Sequence, residues 1–168
     1  MKREIDAFSY ANEILQAVGK GVLMTTKADG KVNTMTIGWG TIGIQWGKPI
    51  FIAFVRESRH TKTLLDQNPE FTVNVPYGEL DKSILSICGT RSGRDMDKIK
   101  ELGLTLEAGE SVSVPGIREL PLTLECKVIY QQDQIPEAIC PAAMARYYSN
   151  GDFHTAYYGE ITGAYVIE

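Results

Sequence analysis

The chain has 168 residues, 43% hydrophobic and 23% charged, with a formal net charge of −4 at pH 7, which suits a single globular domain and argues against a general nucleic-acid binder. No apolar run reaches the ~20 residues of a membrane span, and Met1-Lys2-Arg3-Glu4-Ile5-Asp6 lacks the apolar core of a signal peptide, so a cytoplasmic protein without membrane contact is expected. Cys88, Cys126 and Cys140 are odd in number and show no C-x-x-C spacing, which indicates neither a disulfide framework nor a zinc site.

Phe8, Ala11, Ile14, Leu15 and Val18 recur at helical spacing, and Gly19 follows where a left-handed cap would stop the chain, so residues 1–19 are expected to hold an N-terminal helix. Gly21 to Thr26 and Val32 to Ile37 read as strands around the Asp-Gly turn of Ala28-Asp29-Gly30-Lys31. Thr41 to Trp46 and Ile50 to Val55 add two strands, linked by Gly47-Lys48-Pro49. A helix through Thr61, Leu64 and Leu65 ends at Asn68-Pro69, and Phe71 to Val75 is a strand stopped by Pro76.

Leu80 to Leu102 reads as helix in two pieces broken around Gly89-Thr90-Arg91-Ser92-Gly93. Ala108 to Pro121 is a loop with a short edge strand at Val112 and Val114, and Leu122 to Tyr130 alternates like a half-buried strand. Pro136 to Tyr148 is a helix, and Thr155 to Ile167 a last strand interrupted at Gly159 and Gly163. Hairpin links and few helices favour an antiparallel β-barrel with helices on its outside, mainly β, over residues 20–168 of a single domain.

The densest chemistry lies at Arg56-Glu57-Ser58-Arg59-His60-Thr61-Lys62, between the apolar run Pro49 to Val55 and a helix start. Guanidinium, ammonium and hydroxyl donors beside unpaired helical N–H groups suit an anion, and a phosphate monoester best. The alternative is a solvated loop with Ser58 as N-cap. Asn33-Thr34-Met35-Thr36 and Gly38-Trp39-Gly40 combine a strand edge, an indole and glycines that let a flat ring approach, although Met35 and Trp39 also fit a core. Cys88-Gly89-Thr90 opens a glycine-punctuated turn in which a buried thiol is the simpler reading than a nucleophile. There is no G-x-S-x-G, G-x-G-x-x-G or G-x-x-x-x-G-K-[ST], so hydrolase elbow, Rossmann site and P-loop are all missing.

Taken together, Asn33-Thr34-Met35-Thr36-x-x-Trp39, Arg56-x-Ser58-Arg59-His60-Thr61, Phe71-x-Val73-Asn74-Val75, Cys88-Gly89-Thr90-x-Ser92-Gly93-Arg94-Asp95-x-Asp97-Lys98 and His154-x-x-x-x-Gly159-Glu160-Ile161 resemble the flavin reductase-like family, in its flavoredoxin-type branch. The resemblance implies a six-stranded antiparallel FMN-binding split barrel, usually a homodimer. It implies that Asn33, Thr34, Met35 and Thr36 meet the isoalloxazine edge with Trp39 close by. Arg56, Ser58, Arg59, Thr61 and Lys62, with His60 in the same motif, hold the phosphate. Cys88, Gly89, Ser92 and Lys98 line the ribityl or phosphate side, and His154 sits near the ring or the nicotinamide. Where many reductases of the family carry Gly-Asp-His, this chain reads Gly151-Asp152-Phe153-His154. The activity implied is hydride transfer from NAD(P)H to the flavin N5 and electrons onward to an acceptor or redox partner protein. The alternative is a flavoredoxin-type electron carrier.

Overall fold

The computed structural model describes residues 1–168. Ten strands and five helices follow in the order β1 (Lys2–Glu4), α1 (Ala11–Val18), β2 (Val22–Ala28), β3 (Lys31–Ile37), β4 (Gly40–Gln45), β5 (Lys48–Arg56), α2 (His60–Gln67), β6 (Glu70–Val75), α3 (Lys82–Thr90), α4 (Lys98–Glu101), β7 (Leu106–Glu107), β8 (Gly116–Ile117), β9 (Leu122–Asp133), α5 (Pro141–Tyr147) and β10 (His154–Ile167). One eight-stranded sheet runs β3-β2-β6-β9-β10-β5-β4, with β1 added on β10, and every pairing is antiparallel. The path from β3 to β4 holds the seven strands read along the sequence, one more than the six the resemblance implies, and β1 is a short addition on β10.

Both predicted hairpins are tight because their two turn residues take left-handed backbone. Asp29 and Gly30 have φ of 49° and 74°, and Trp46 and Gly47 have φ of 52° and 70°, the geometry whose twist matches paired strands. Trp46 therefore sits in the turn, and β5 starts at Lys48. Gly19 is right-handed at φ −62°, and the left-handed residue after α1 is Gly21 at φ 116°. A 3-10 turn over Ala7–Tyr10, capped by the Asp6 carboxylate, precedes α1.

Alternation along the strands sorts two cores. Met24, Met35, Val73 and Leu124 face one side, where Phe51, Phe71 and Tyr157 fill the barrel and Ile14 and Val18 of α1 close it. Burying each aliphatic side chain of this size contributes ~1.5–3 kcal/mol. On the other face of β2, Leu23 packs with Ile84, Cys88, Leu104, Ile117 and Leu120 from α3 and the 104–120 strap. Gly159 is where the strands crowd: a Cβ there would lie 2.6 Å from Phe71 Cζ and 2.8 Å from Cys126 Cβ. β10 runs through Gly159 and Gly163 as one strand, with register shifts at Tyr158/Gly159 and Ile161/Gly163 in place of interruptions.

Three local expectations give way to tertiary contacts. Val112 and Val114 are buried but form no strand, because Glu125 accepts the Ser111 N–H at 2.6 Å and Glu70 accepts the Ser113 N–H at 2.8 Å. The short strand falls at β8, paired with β7. α3 continues through Gly89, whose missing side chain lets the helix sit against Thr36, and the break comes over residues 91–97. Pro136 to Tyr148 divides into a 3-10 turn at Pro136–Ala138 and α5, since Pro141 has no N–H to extend an earlier turn and is suited to a helix start.

Candidate functional site

The C-terminal end of β5 faces the start of β10, and the register puts Arg56 opposite His154. β3 flanks them from the far edge of the sheet, and its end, with Gly38 and Trp39, completes a cleft of about 160 Å³ bordered by Met35, Thr36, Phe54, Arg56, Arg59 and His154. Beside it lies a corner of about 150 Å³ bordered by Asn33, Met35, Ser58, Arg59, His60 and Thr61 on one wall. Arg91, Ser92, Gly93, Arg94 and Lys98 form the other wall. Met35 and Arg59 belong to both hollows, so the two make one groove with an aromatic end and a basic end.

His154 is buried at the aromatic end. Its Nδ1 lies 2.8 Å from the Tyr148 hydroxyl, and its backbone N–H donates to Gln134 Oε1 at 2.9 Å. Trp39 leans on it at 5.0 Å and meets Tyr147 edge-on at 5.1 Å. Burial, then the charge of Arg56, pulls the imidazole down to about 4, so it is neutral at physiological pH. Phe153, the residue added to the Gly-Asp-His pattern, stacks on Tyr148 at 5.3 Å and packs the loop beneath.

The basic turn divides in two. Arg56 donates to the Asp152 carbonyl at 2.8 Å and the Tyr147 carbonyl at 3.2 Å. Ser58 gives its N–H at 2.9 Å and its hydroxyl at 2.7 Å to the Asp152 carboxylate, so it caps no helix, and Arg59 takes the N-cap position. Burial raises the Asp152 carboxyl, but the Ser58 bonds and the charges of Arg56 and Arg59 outweigh it and hold the group below its ordinary value. Lys62 points away from the groove to Asp66 at 2.9 Å and the Tyr157 hydroxyl at 3.0 Å, tying α2 to β10. Among the expected phosphate ligands these three are engaged within the chain.

Arg59 borders both hollows, exposed. His60 faces the corner with its Nδ1 buried and unpartnered, and burial followed by the charges of Arg94, Lys98 and Lys31 lowers its basicity. Thr61 accepts from Asn33 Nδ2 at 3.1 Å. Lys98 is buried, donating to the Thr34 and Cys88 carbonyls at 2.9 and 3.0 Å, which leaves one ammonium proton toward the corner. Ser92 Oγ accepts the Arg94 N–H at 3.1 Å, and the Arg94 guanidinium braces the corner through the Ser58 carbonyl at 3.0 Å.

Four expected ligands offer less than their motif implies. The Thr34 hydroxyl turns to Thr25 at 3.0 Å in a buried polar layer, and Thr36 donates to the Leu85 carbonyl at 2.6 Å. Cys88 is a buried thiol pushed up by desolvation, and Gly89 is a helix-packing residue. Gly93 is the glycine the corner depends on, because a Cβ there would fall 2.0 Å from Asn33 Oδ1. Residue-by-residue reading missed Tyr148, Asp152, Arg91 and Arg94. The two arginines stood in the Arg91-Ser92-Gly93-Arg94 run, whereas Tyr148 and Asp152 carried no signal of their own.

An antiparallel barrel with an aromatic cleft leading to a cationic corner defines a flavin reductase-like split barrel. The model of the flavin reductase like domain matches residues 17–168, and the chain belongs to that family. It is 35% identical over 99 residues to an uncharacterised protein of Archaeoglobus fulgidus, covering 59% of this chain and 55% of that one. The chain thus spans just over half the length of this curated relative. Among solved structures it is similar to the flavoredoxin of Methanosarcina acetivorans, with 28% identity, TM-score 0.67 and coverage of 88% of this chain and 68% of that one. The flavoredoxin of Desulfovibrio vulgaris (Miyazaki F) gives 26%, 0.68, 88% and 69%.

Proposed function

We propose that the groove binds FMN, ring in the Trp39–His154 cleft and phosphate in the Arg59–Lys98 corner, and that the protein is an NAD(P)H-dependent flavin oxidoreductase. The observation that carries this reading is the continuity of the two hollows through Met35 and Arg59. The donor set fits the cofactor: the exposed guanidiniums of Arg59 and Arg91, one remaining ammonium proton and an unpartnered imidazole nitrogen border a corner of a phosphate's scale. FMN, when bound, supplies the chemistry of accepting hydride and passing electrons onward.

The side chains then have binding and orienting tasks. Asn33, fixed by Thr61, and Met35 border the groove between phosphate and ring. Trp39 and Tyr147 shield one side of the cleft from water. A neutral His154, locked by Tyr148, sets polarity and shape at the ring without adding a positive charge. Reduced Cys88, Cys126 and Cys140 suit a cytoplasmic setting.

The similarity to flavoredoxins favours a second reading, an electron carrier that holds FMN but reacts poorly with nicotinamides. Anaerobic mixing with NADH or NADPH separates the two. Rapid bleaching of the flavin band supports the reductase, and bleaching only by dithionite or a donor protein supports the carrier. A colourless protein that takes up no FMN sinks both. The reading also includes a homodimer, with Ile44 and Trp46, 71% and 66% exposed beside Tyr130, as an apolar face for a second copy. Light scattering that returns the monomer mass rejects it.

A further inference from the structure

His154 is held by a short chain of hydrogen bonds whose senses are fixed. Gln134, the first residue after β9, gives its backbone N–H to the His154 carbonyl at 3.0 Å, and its side-chain Oε1 accepts the His154 N–H at 2.9 Å. A backbone N–H can only donate, so the amide oxygen of Gln134 is the atom facing β10 and its Nε2 is turned the other way. That Nε2 donates to the Tyr148 hydroxyl at 3.0 Å. Tyr148 stands at the C-terminal cap of α5, buried, with its ring stacked on Phe153 at 5.3 Å. The same hydroxyl lies 2.8 Å from His154 Nδ1.

The order of the protons follows from the count of donors and acceptors. The Tyr148 hydroxyl has one proton and already accepts from Gln134, and its remaining partner is His154 Nδ1. A buried hydroxyl left without an acceptor is costly, so its proton goes to Nδ1. An imidazole that accepts at Nδ1 carries its own proton on Nε2. Nε2 makes no bond within the chain and is not closed off from solvent, and His154 borders the aromatic cleft. The free N–H therefore opens on the cleft. A histidine without these partners could present either a donor or an acceptor there, and Gln134 removes the choice.

We propose that Gln134 is a positioning residue for the aromatic end of the groove: acting through Tyr148, it fixes His154 as the Nε2–H tautomer, so that the cleft offers a hydrogen-bond donor to an acceptor atom of its occupant. The identity of that occupant rests on the flavin reading, since an isoalloxazine ring carries carbonyl oxygens and bare ring nitrogens that accept. An occupant presenting a donor at the same point meets a second donor, so the cleft selects by hydrogen-bond polarity.

Nitrogen-15 NMR of the whole chain labelled at histidine reads the tautomer directly. With two histidines in the sequence, His60→Gln assigns the spectrum. His154 should show a protonated Nε2 and a bare Nδ1. In Gln134→Glu a carboxylate oxygen replaces the amide nitrogen and takes the Tyr148 proton, which turns the hydroxyl around, so a proton should appear on Nδ1. Tyr148→Phe, which keeps the stack on Phe153, should release the lock and put the proton on Nδ1 in a fraction of the molecules. A protonated Nδ1 in the unaltered chain overturns the positioning role, as does an Nδ1 that stays bare in Gln134→Glu, or in Tyr148→Phe should the first variant not fold. Saturating riboflavin, which has the ring and no phosphate, should shift the Nε2–H signal and leave Nδ1 bare. Riboflavin that binds without moving that signal overturns the donor role in the cleft. Riboflavin and FMN that both fail to bind overturn the flavin reading, and a locked Nε2–H tautomer then leaves the positioning role standing.

Discussion

Arg56, Ser58 and Lys62 differ from Arg59, His60 and Lys98 in where their hydrogen bonds go, though all but Lys98 lie within seven consecutive residues. The first three are engaged by Asp152, Tyr147, Asp66 and Tyr157. The second three keep a donor or an unpartnered nitrogen on the groove side. A cationic motif is therefore two devices. One set fastens the turn, α2 and the loop before β10 in place, and the other keeps groups on the groove side that the chain does not engage. Capacity to donate is a property of residue type, but availability depends on which acceptors the fold brings within 3 Å.

Replacing Arg59 by Ala is the largest test of that division. Loss of a charged hydrogen bond of about 1.5–3 kcal/mol should weaken FMN roughly ten- to a hundredfold and riboflavin little. Arg56→Ala should weaken both ligands alike, because it unfastens a loop and removes no phosphate donor. Fluorescence titration reads both, and the reverse pattern would collapse the distinction between the two sets.

Lys62→Met should lower stability by about 1 kcal/mol, a fall of roughly 2–4 °C in Tm, by leaving Asp66 and the Tyr157 hydroxyl without their cation. FMN and riboflavin affinities should then change in the same proportion. A selective loss of FMN would return Lys62 to the phosphate set. Asp152→Ala should free the Ser58 N–H and hydroxyl and remove a carboxylate beside Arg59, so FMN binding should tighten about threefold relative to riboflavin. An unchanged ratio would show that Ser58 stays out of reach of the ligand.

The test with the smallest expected effect on ligand affinity concerns pH. Burial lowers the folded value of His154 to about 4 from the ordinary 6.5. The unfolded chain therefore takes up this proton first. The stability that neutral His154 contributes is complete above pH 6.5 and is lost as pH falls toward about 4. Chemical denaturation at several pH values reads the slope, which His154→Gln should flatten. Flavin reduction should show no His154 titration between about pH 6 and 8, and a step there that His154→Gln abolishes would contradict the neutral imidazole.

Much of this protein was legible from local pattern. Turn chemistry at Asp29-Gly30, the apolar run through Val55 and the break at Asn68-Pro69 fixed the hairpins and strands around the groove. The crowding of donors between Arg56 and Lys62 marked one wall of the basic corner, since charge type and spacing are local quantities. What chain order left open was pairing across long separations. Asp152 reaches Ser58 from 94 positions away and Tyr157 reaches Lys62 from 95. Glu125 and Glu70 turn the Val112–Val114 segment from a strand into a clamped strap by taking the amides of Ser111 and Ser113. Local sequence determined which groups were present and on which elements. The tertiary structure decided which of them found partners, because a buried donor takes the nearest acceptor the packing supplies, and only what remains unmatched faces a ligand.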